Sequence, residues 1–562
     1  MTSLPPGETT ASPVQRVGWA LLIVATLYIC YFSHLAVIGF VGPDEPRYAW
    51  IARDMSETGD WVTPRLYGKP WFEKPPLLYW GGAMFFRLLG EGHPEVSARL
   101  PSAISALLAT LALAWLAWRT YGEQCARWLL LLLPTSVGMI GFSHAAATDM
   151  PFAGMLTITM VCAAVVLGLT GERTPILPRT PWLALLLFGF FLGLAVLAKG
   201  PAAILLSGGA VFFWAIFTKR WRPALGLLHP AAMGSFCLTA LPWYILCARR
   251  NPDFFRIFII EHNFKRYLTP EFQHIQPFWY YIPILLIALS PWSIGVLTLA
   301  QRLGGIKREN PGANSLSLLA LCWCLWPFFF FSISQSKLPG YILPAVPPAT
   351  FACVLALFHG SPSNDLNSGR RIFVIAAGIT LLFSAAAFVI FENKVPDGQD
   401  IIPAPWHGSI YLPFLLGGIV SVAFAWKKRV ASAAICCTAA LLFALLGLYD
   451  GMRWLDPLYS ARPSSQDAKR LYPSFDAQDT AVYRVPRGIE YGLNYYFRRE
   501  LPAWSSVRGS ARWVFTSPSG VVDLKEREFN CPYYIVFPAA YPCENAKLLG
   551  GLGGRGEVKK EE

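Results

Sequence analysis

Apolar runs almost free of charge recur along the whole chain, each roughly 18 to 23 residues, the length a helix needs to cross about 30 Å of hydrocarbon. They fall near 17–40, 98–118, 127–143, 151–170, 182–198, 201–217, 227–247, 278–298, 315–333, 341–358, 372–391, 408–426 and 430–449. In a bilayer each backbone polar group must be paired within its own segment, so such runs fold as helices. The run from Val17 to Phe40 is too long for a signal-peptide core and reads as a first span. A chain that is 54% hydrophobic and 14% charged is not an ordinary soluble globule. The expected fold class is an all-α polytopic membrane domain of about 13 transmembrane helices with amphipathic juxtamembrane helices, followed by a small C-terminal α/β soluble domain.

Charge placement orients the spans. If the N-terminal end is cytoplasmic, the short inner connections carry Arg119 and Arg127; Arg173 and Arg179; Lys219, Arg220 and Arg222; Arg302, Lys307 and Arg308; Arg370 and Arg371; Lys427, Lys428 and Arg429. The C-terminal region then lies outside, where Cys531 and Cys543 can oxidise; the other ten cysteines sit in or beside apolar runs and read as inert packing. The net charge of +13 is scattered among loops with no basic tract, which argues against a nucleic-acid partner. Three outer loops, 41–97, 248–277 and 332–341, also carry cations, against the orientation trend: Arg47, Arg53, Lys69, Lys74, Arg249, Arg250, Lys265, Arg266 and Lys337. A phosphate-bearing ligand at the outer surface explains them most simply. The expected organisation is a membrane domain over 1–449, an α/β domain over 450–549 and a mobile tail over 550–562. In the second of these, Arg487–Arg499 is helix-like and Ala481–Val485, Arg512–Thr516 and Tyr533–Phe537 are strand-like.

The spans hold almost no ionisable residue at mid-depth, which argues against a transporter and puts the chemistry at the rim. Asp44-Glu45-Pro46 starts a helix, and Tyr48, Ile51, Ala52 and Met55 continue it as an amphipathic surface helix until Gly59. Asp44 and Asp149 are both candidate catalytic carboxylates; each is equally suited to cap the helix that follows it. Glu73 and Lys74, framed by Trp71-Phe72 and Pro75-Pro76, read either as an ion pair or as a charged pair whose lysine clamps a lipid phosphate. Glu261-His262-Asn263-Phe264-Lys265-Arg266-Tyr267 adds a carboxylate, an imidazole and two cations. No cofactor is required by the sequence, although Glu73 with His262 could hold a divalent metal ion. The turn Ser332–Tyr341 offers Lys337 and Tyr341 as hydrogen-bond donors to a phosphate. Interface anchoring accounts equally for those two and for Lys199 in Ala198-Lys199-Gly200-Pro201.

Taken in order, Asp44-Glu45-Pro46-Arg47-Tyr48, Gly59-Asp60-Trp61, Gly68-Lys69-Pro70-Trp71-Phe72-Glu73-Lys74-Pro75-Pro76, Ala98-Arg99-Leu100-Pro101-Ser102, Thr148-Asp149, Leu197-Ala198-Lys199-Gly200-Pro201 and Lys337-Leu338-Pro339-Gly340-Tyr341 resemble the lipid A aminoarabinose transferases of Gram-negative bacteria. These belong to the GT-C superfamily, with a looser relation to protein O-mannosyltransferases. The resemblance covers the first ~350 residues. It implies a GT-C fold in the bacterial inner membrane, with the active site and C-terminal domain facing the periplasm. It also implies an inverting transfer of an aminosugar from undecaprenyl phosphate to lipid A phosphates by a monomer. On the matching positions, Lys74, Arg266 and Tyr341, with Arg47 and Lys337, bind the carrier phosphate, while Asp44 and Asp149 serve the sugar and the acceptor.

Overall fold

The computed structural model describes residues 13–170, 181–268, 275–293, 311–358, 364–392, 404–505, 511–531 and 539–546. Each of the thirteen apolar runs carries a helix, but among the described residues eight helices are long and apolar enough to cross a bilayer. The count is nine if Glu123–Leu132 and Val137–Ser143, which meet at 62°, form one bent span. The chain is a multi-pass membrane protein. The shortfall from thirteen has local causes. Tyr281–Leu289 stops at Ser290-Pro291, and the run at 341–358 begins as a 3-10 turn, Pro339–Ala345, before the Val346–Phe358 helix; proline lacks the N–H that a continuing helix needs. The first span is shorter than expected, Pro13–Tyr31, because the chain leaves the helix at residues 32–43, with His34 at φ 61°.

Small residues set how closely the helices approach. A Cβ at Gly193 would meet Thr239 at 2.7 Å and one at Gly189 would strike the Ala232 carbonyl, so the Trp182–Lys199 helix lies directly on the Pro230–Arg250 helix. Gly154 does the same between Asp149–Val166 and Pro94–Tyr121, where a Cβ would stand 2.7 Å from the Ser105 carbonyl. These contacts fix the ends at which Lys199 and Asp149 sit.

The first outer loop is a packed unit. Its Asp44–Thr58 helix ends at Gly59 (φ 73°), as its sequence implies. It does not lie open on a membrane surface: nine of its fifteen residues are buried between the Leu77–Leu89 helix and the C-terminal helix Arg487–Phe497. A two-residue hairpin, Arg65–Leu66 with Lys69–Pro70, turns at Tyr67 (φ 52°) and Gly68 (φ 77°), the left-handed pair such turns require. Trp243 donates from Nε1 to the Val62 carbonyl at 2.9 Å and Asn251 from Nδ2 to Thr63 Oγ1 at 3.0 Å, which ties the first loop to the helix leading into the second.

Past the last apolar run, the Val430–Tyr459 helix continues into a four-stranded sheet region with spatial order Thr480–Tyr483, Trp513–Thr516, Tyr541–Asn545, Phe529–Asn530. The first pair is parallel and the others antiparallel. The expected strand at Tyr533–Phe537 lies outside the described residues, as does the tail 550–562. The expected helix ends at Phe497, two residues early, with Arg498 at φ 57°. Cys531 and Cys543 form a disulfide, and the ten remaining cysteines are free and buried or half-buried.

Candidate active site

Asp44 and Glu45 are neighbours with opposite fates. Both stand in the first turn of the Asp44–Thr58 helix, where the backbone dipole favours negative charge. Neither Asp44 nor Asp149 is an N-cap: Pro43 and Thr148 hold the cap positions and make no side-chain capping bond, so the carboxylates lie one residue inside the helix with their oxygens committed elsewhere.

Glu45 is buried. Its two oxygens accept from Arg99 Nε and Nη2 at 2.9 and 2.7 Å and from the backbone amides of Ala146 and Val41 at 2.7 and 2.9 Å. Arg99 spends its other protons on the carbonyls of Leu35, Ile38 and Gly39 at 2.7 to 2.8 Å. The 35–41 stretch, the Asp44–Thr58 and Pro94–Tyr121 helices and the loop at Ala146 are thereby locked together, with the donors and acceptors of a buried ion pair satisfied as such pairs demand.

Asp44 is half exposed and pairs with Arg47 one turn on. Arg47 is buried, donates to Glu73 at 3.2 Å and to the Pro43 carbonyl at 2.8 Å, and lies 5.3 and 5.2 Å from the rings of Trp71 and Tyr491. Burial works against its charge, but the carboxylates of Glu73 and Asp44, with Tyr48, hold its pKa above the usual guanidinium value. Burial, reinforced by the same two carboxylates, pushes the Tyr48 phenol well up. Glu73 in turn stands 3.8 Å from Lys74.

A second pair closes the site from the membrane side. Lys199, the last residue of its helix, donates to Asp149 Oδ1 at 2.5 Å, and Asp149 is the first residue of its own. Each charge sits at the helix end whose partial charge suits it. The Tyr341 ring lies 4.5 Å from the Lys199 ammonium, and the backbone at Gly340 rests on the Asp149 carboxylate so tightly that a Cβ would overlap it.

Between these networks lies a cavity of about 340 Å³. Glu73, Lys74, Lys199, His262, Ser334, Ser336 and Tyr341 contribute polar groups to its lining, and Leu205, Phe258, Phe330 and Phe331 contribute apolar surface. His262 comes from a π-helical stretch, Arg256–Lys265, the wide-turn geometry often found at functional sites. A space lined by both ammonium groups and aromatic rings suits an amphiphile with an anionic head.

The structure thus brings Lys74, Tyr341, Glu73 and His262 to one wall. Arg47 and Asp149 stand behind it, each in contact with a residue that lines it, and Asp44 is joined to it through Arg47. Lys337 turns inward and donates to the Ser334 carbonyl at 2.6 Å, away from the cavity. Arg266 lies in the short helix Arg266–Leu268, and its side chain is outside the described residues. Glu73 and His262 offer two protein donors to a metal ion, and no group of three or more His, Cys, Asp or Glu suited to one occurs among the described residues. No step below runs through a metal.

Residues 18–258 match the dolichyl-phosphate-mannose-protein mannosyltransferase family. The undecaprenyl phosphate-alpha-4-amino-4-deoxy-L-arabinose arabinosyl transferase of Erwinia tasmaniensis is 30% identical over 438 residues, covering 77% of this chain and 72% of that one. The chain belongs to the aminoarabinose transferase family. Its namesake in Pseudomonas paraeruginosa is 32% identical over 387 residues, covering 69% and 68%. The crystal structure of ArnT from Cupriavidus metallidurans bound to undecaprenyl phosphate shares the fold, with a TM-score of 0.73 at 24% identity over 94% of this chain and 98% of that one. This is the GT-C architecture.

Among the residues this family member uses to build its site, Lys199 is the one whose reading the structure changes most. In sequence it looks like a snorkelling anchor; in the fold it is a cavity-facing ammonium fixed by Asp149 and Tyr341. Its signal is faint but physical: a lone cation in the last turn of an apolar span needs a counter-charge close by. Arg99 and Glu45 are part of the same quoted motifs, yet they line no wall and hold the frame instead.

Proposed function

We propose that this chain moves 4-amino-4-deoxy-L-arabinose from undecaprenyl phosphate to phosphate groups of lipid A at the periplasmic face of the inner membrane, lowering the negative charge of the cell surface and with it sensitivity to cationic peptides. The observation that carries the reading is the cavity, whose lining combines two lysines with aromatic and aliphatic side chains, in a member of this family. In this reading residues 1–449 hold the membrane and the site, and 450–549 form the outer domain. The C-terminal helix Arg487–Phe497 packs on the first outer loop, so the two share a face, and the Cys531–Cys543 disulfide suits an oxidising compartment.

The carrier phosphate lies beside Lys74 and Lys199, with Tyr341 and Arg266 completing its clamp and the polyprenyl chain against the aromatic wall. An oxygen of the acceptor phosphate attacks the anomeric carbon from the opposite face; the bond from that carbon to the carrier phosphate oxygen breaks, and configuration inverts. The acceptor is already an anion near neutral pH, so the step needs no strong general base. Asp44 therefore orients the sugar, its carboxylate meeting the cationic 4-amino group, while Asp149 holds Lys199 in place. Charge growing on the leaving phosphate is met by the two ammonium groups in a site with little water, where such contacts act most strongly.

The test is mass spectrometry of lipid A after incubating the purified chain with the lipid-linked aminosugar. Addition of aminoarabinose, abolished by Lys74→Ala, is expected. The match over residues 18–258 to protein mannosyltransferases makes protein hydroxyls the alternative acceptor; sugar found on protein alone would establish that reading instead. Turnover that persists in Lys74→Ala would remove its role as the clamp.

A further inference from the structure

We infer that the C-terminal domain is part of the catalytic frame and that Tyr491 is a positioning residue acting through Arg47. This rests on the transferase reading above and extends it to a region whose role that reading leaves open. Two contacts from one face of the Arg487–Phe497 helix bracket Asp44. On one side, Gly488 seats on the turn just before the Asp44–Thr58 helix: a Cβ there would stand 2.9 Å from the Gly42 carbonyl carbon, and Gly42 itself is left-handed at φ 68°. On the other side, the Tyr491 ring lies 5.2 Å from the Arg47 guanidinium, which also meets the Trp71 ring at 5.3 Å.

A guanidinium packed on aromatic rings loses the side-chain freedom that would otherwise let a long arginine wander. That restraint matters because Arg47 holds both Asp44 and Glu73. Part of the clamp on the cation that aims these two carboxylates thus comes from a domain more than 400 residues away in sequence. Arg487 lies 5.3 Å from the Tyr491 ring and donates from Nε to its hydroxyl at 3.2 Å, which steadies the ring. The rest of the interface is built to keep this geometry. Tyr496 donates to Glu95 at 2.8 Å, Arg53 lies 4.2 Å from the Tyr495 ring and donates to the Tyr495 carbonyl at 3.3 Å, and Asn494 donates to the Tyr67 hydroxyl at 3.1 Å.

Tyr491 lines no part of the cavity, so its loss should disturb the reacting geometry and spare the carrier's seat. The experiment compares full-length wild type, Tyr491→Phe and Tyr491→Leu in nanodiscs, measuring kcat and donor KM with the lipid-linked aminosugar and lipid A. A desolvated cation–ring contact corresponds to a factor of about 30. The leucine variant should lose kcat by about ten- to thirty-fold with KM within about twofold, whereas phenylalanine, which keeps the ring, should retain kcat within about threefold. Unchanged kcat in Tyr491→Leu, a rise in KM alone, or an equal loss in Tyr491→Phe would each overturn the inference. Should Tyr491→Leu not fold, Gly488→Ala disturbs the same seat from its other side; it must lower kcat without raising KM, and an unchanged kcat overturns the inference as well. A wild type that transfers no aminosugar defeats the transferase reading itself, a result separate from any difference among the variants.

Discussion

Two ion pairs stand near the same face of the membrane domain and do different work. Glu45 and Arg99 are sealed: each carboxylate oxygen also accepts from a backbone amide, each guanidinium proton not given to Glu45 meets a backbone carbonyl, and the pair joins the first loop to the Pro94–Tyr121 helix. Asp149 and Lys199 are less enclosed, with side chains 19% and 11% exposed, and the lysine faces a cavity. The first pair has no capacity left for a ligand. The second has an ammonium that lines the cavity where a ligand would bind. In a membrane protein with few charges, completeness of hydrogen bonding separates a structural pair from a working one better than charge or burial does.

Substitutions should pull the two pairs apart. Arg99→Ala leaves Glu45 buried without its cation and should cost about 3–5 kcal/mol of stability, read as a large fall in thermal unfolding temperature in detergent that added undecaprenyl phosphate does not repair. Lys199→Ala should instead lower turnover by about 100-fold, the cost of removing one group that meets developing charge, while the protein remains folded. If Lys199→Ala proved as destabilising as Arg99→Ala, the distinction drawn here would collapse. Gly340→Ala pushes a methyl group into the Asp149 carboxylate and should cost about 1–3 kcal/mol by overpacking, with turnover reduced because the Lys199 ammonium moves with its partner. The smallest effect belongs to Lys69→Ala: its bridge to Glu500 spans 3.1 Å but is exposed, so stability should change by less than about 0.5 kcal/mol and turnover not at all.

Much of the fold was legible because a bilayer allows so few solutions. Apolar runs became helices at the expected places, and Gly59 stopped the first-loop helix where its lack of a side chain suggested. What escaped was long-range. Nothing local to Lys199 tells an anchor from a cavity-facing ammonium, since the difference is made by Asp149, fifty residues earlier, and Tyr341, far later. Asp44 and Asp149 were read as capping or catalytic carboxylates, but their actual partners are cations. Helix-end position suggests a cap; only tertiary contact reveals the competitor. Lys337 illustrates the reverse, a cation that looks available in sequence and is turned onto a backbone carbonyl by its own short loop.

The seat of Gly488 on Gly42 also has a consequence in time. The first loop leaves the ribosome early and the helix that completes its frame leaves near the end. At 5–20 residues per second the roughly 450 residues between them take about 20 to 90 seconds to make. Throughout that interval the loop is outside the membrane with its Arg47 clamp incomplete. The nascent enzyme therefore passes its early life without this restraint, and a message cut short before residue 488 yields a membrane protein whose spans are nearly all present and whose Asp44 and Glu73 carboxylates are less firmly aimed.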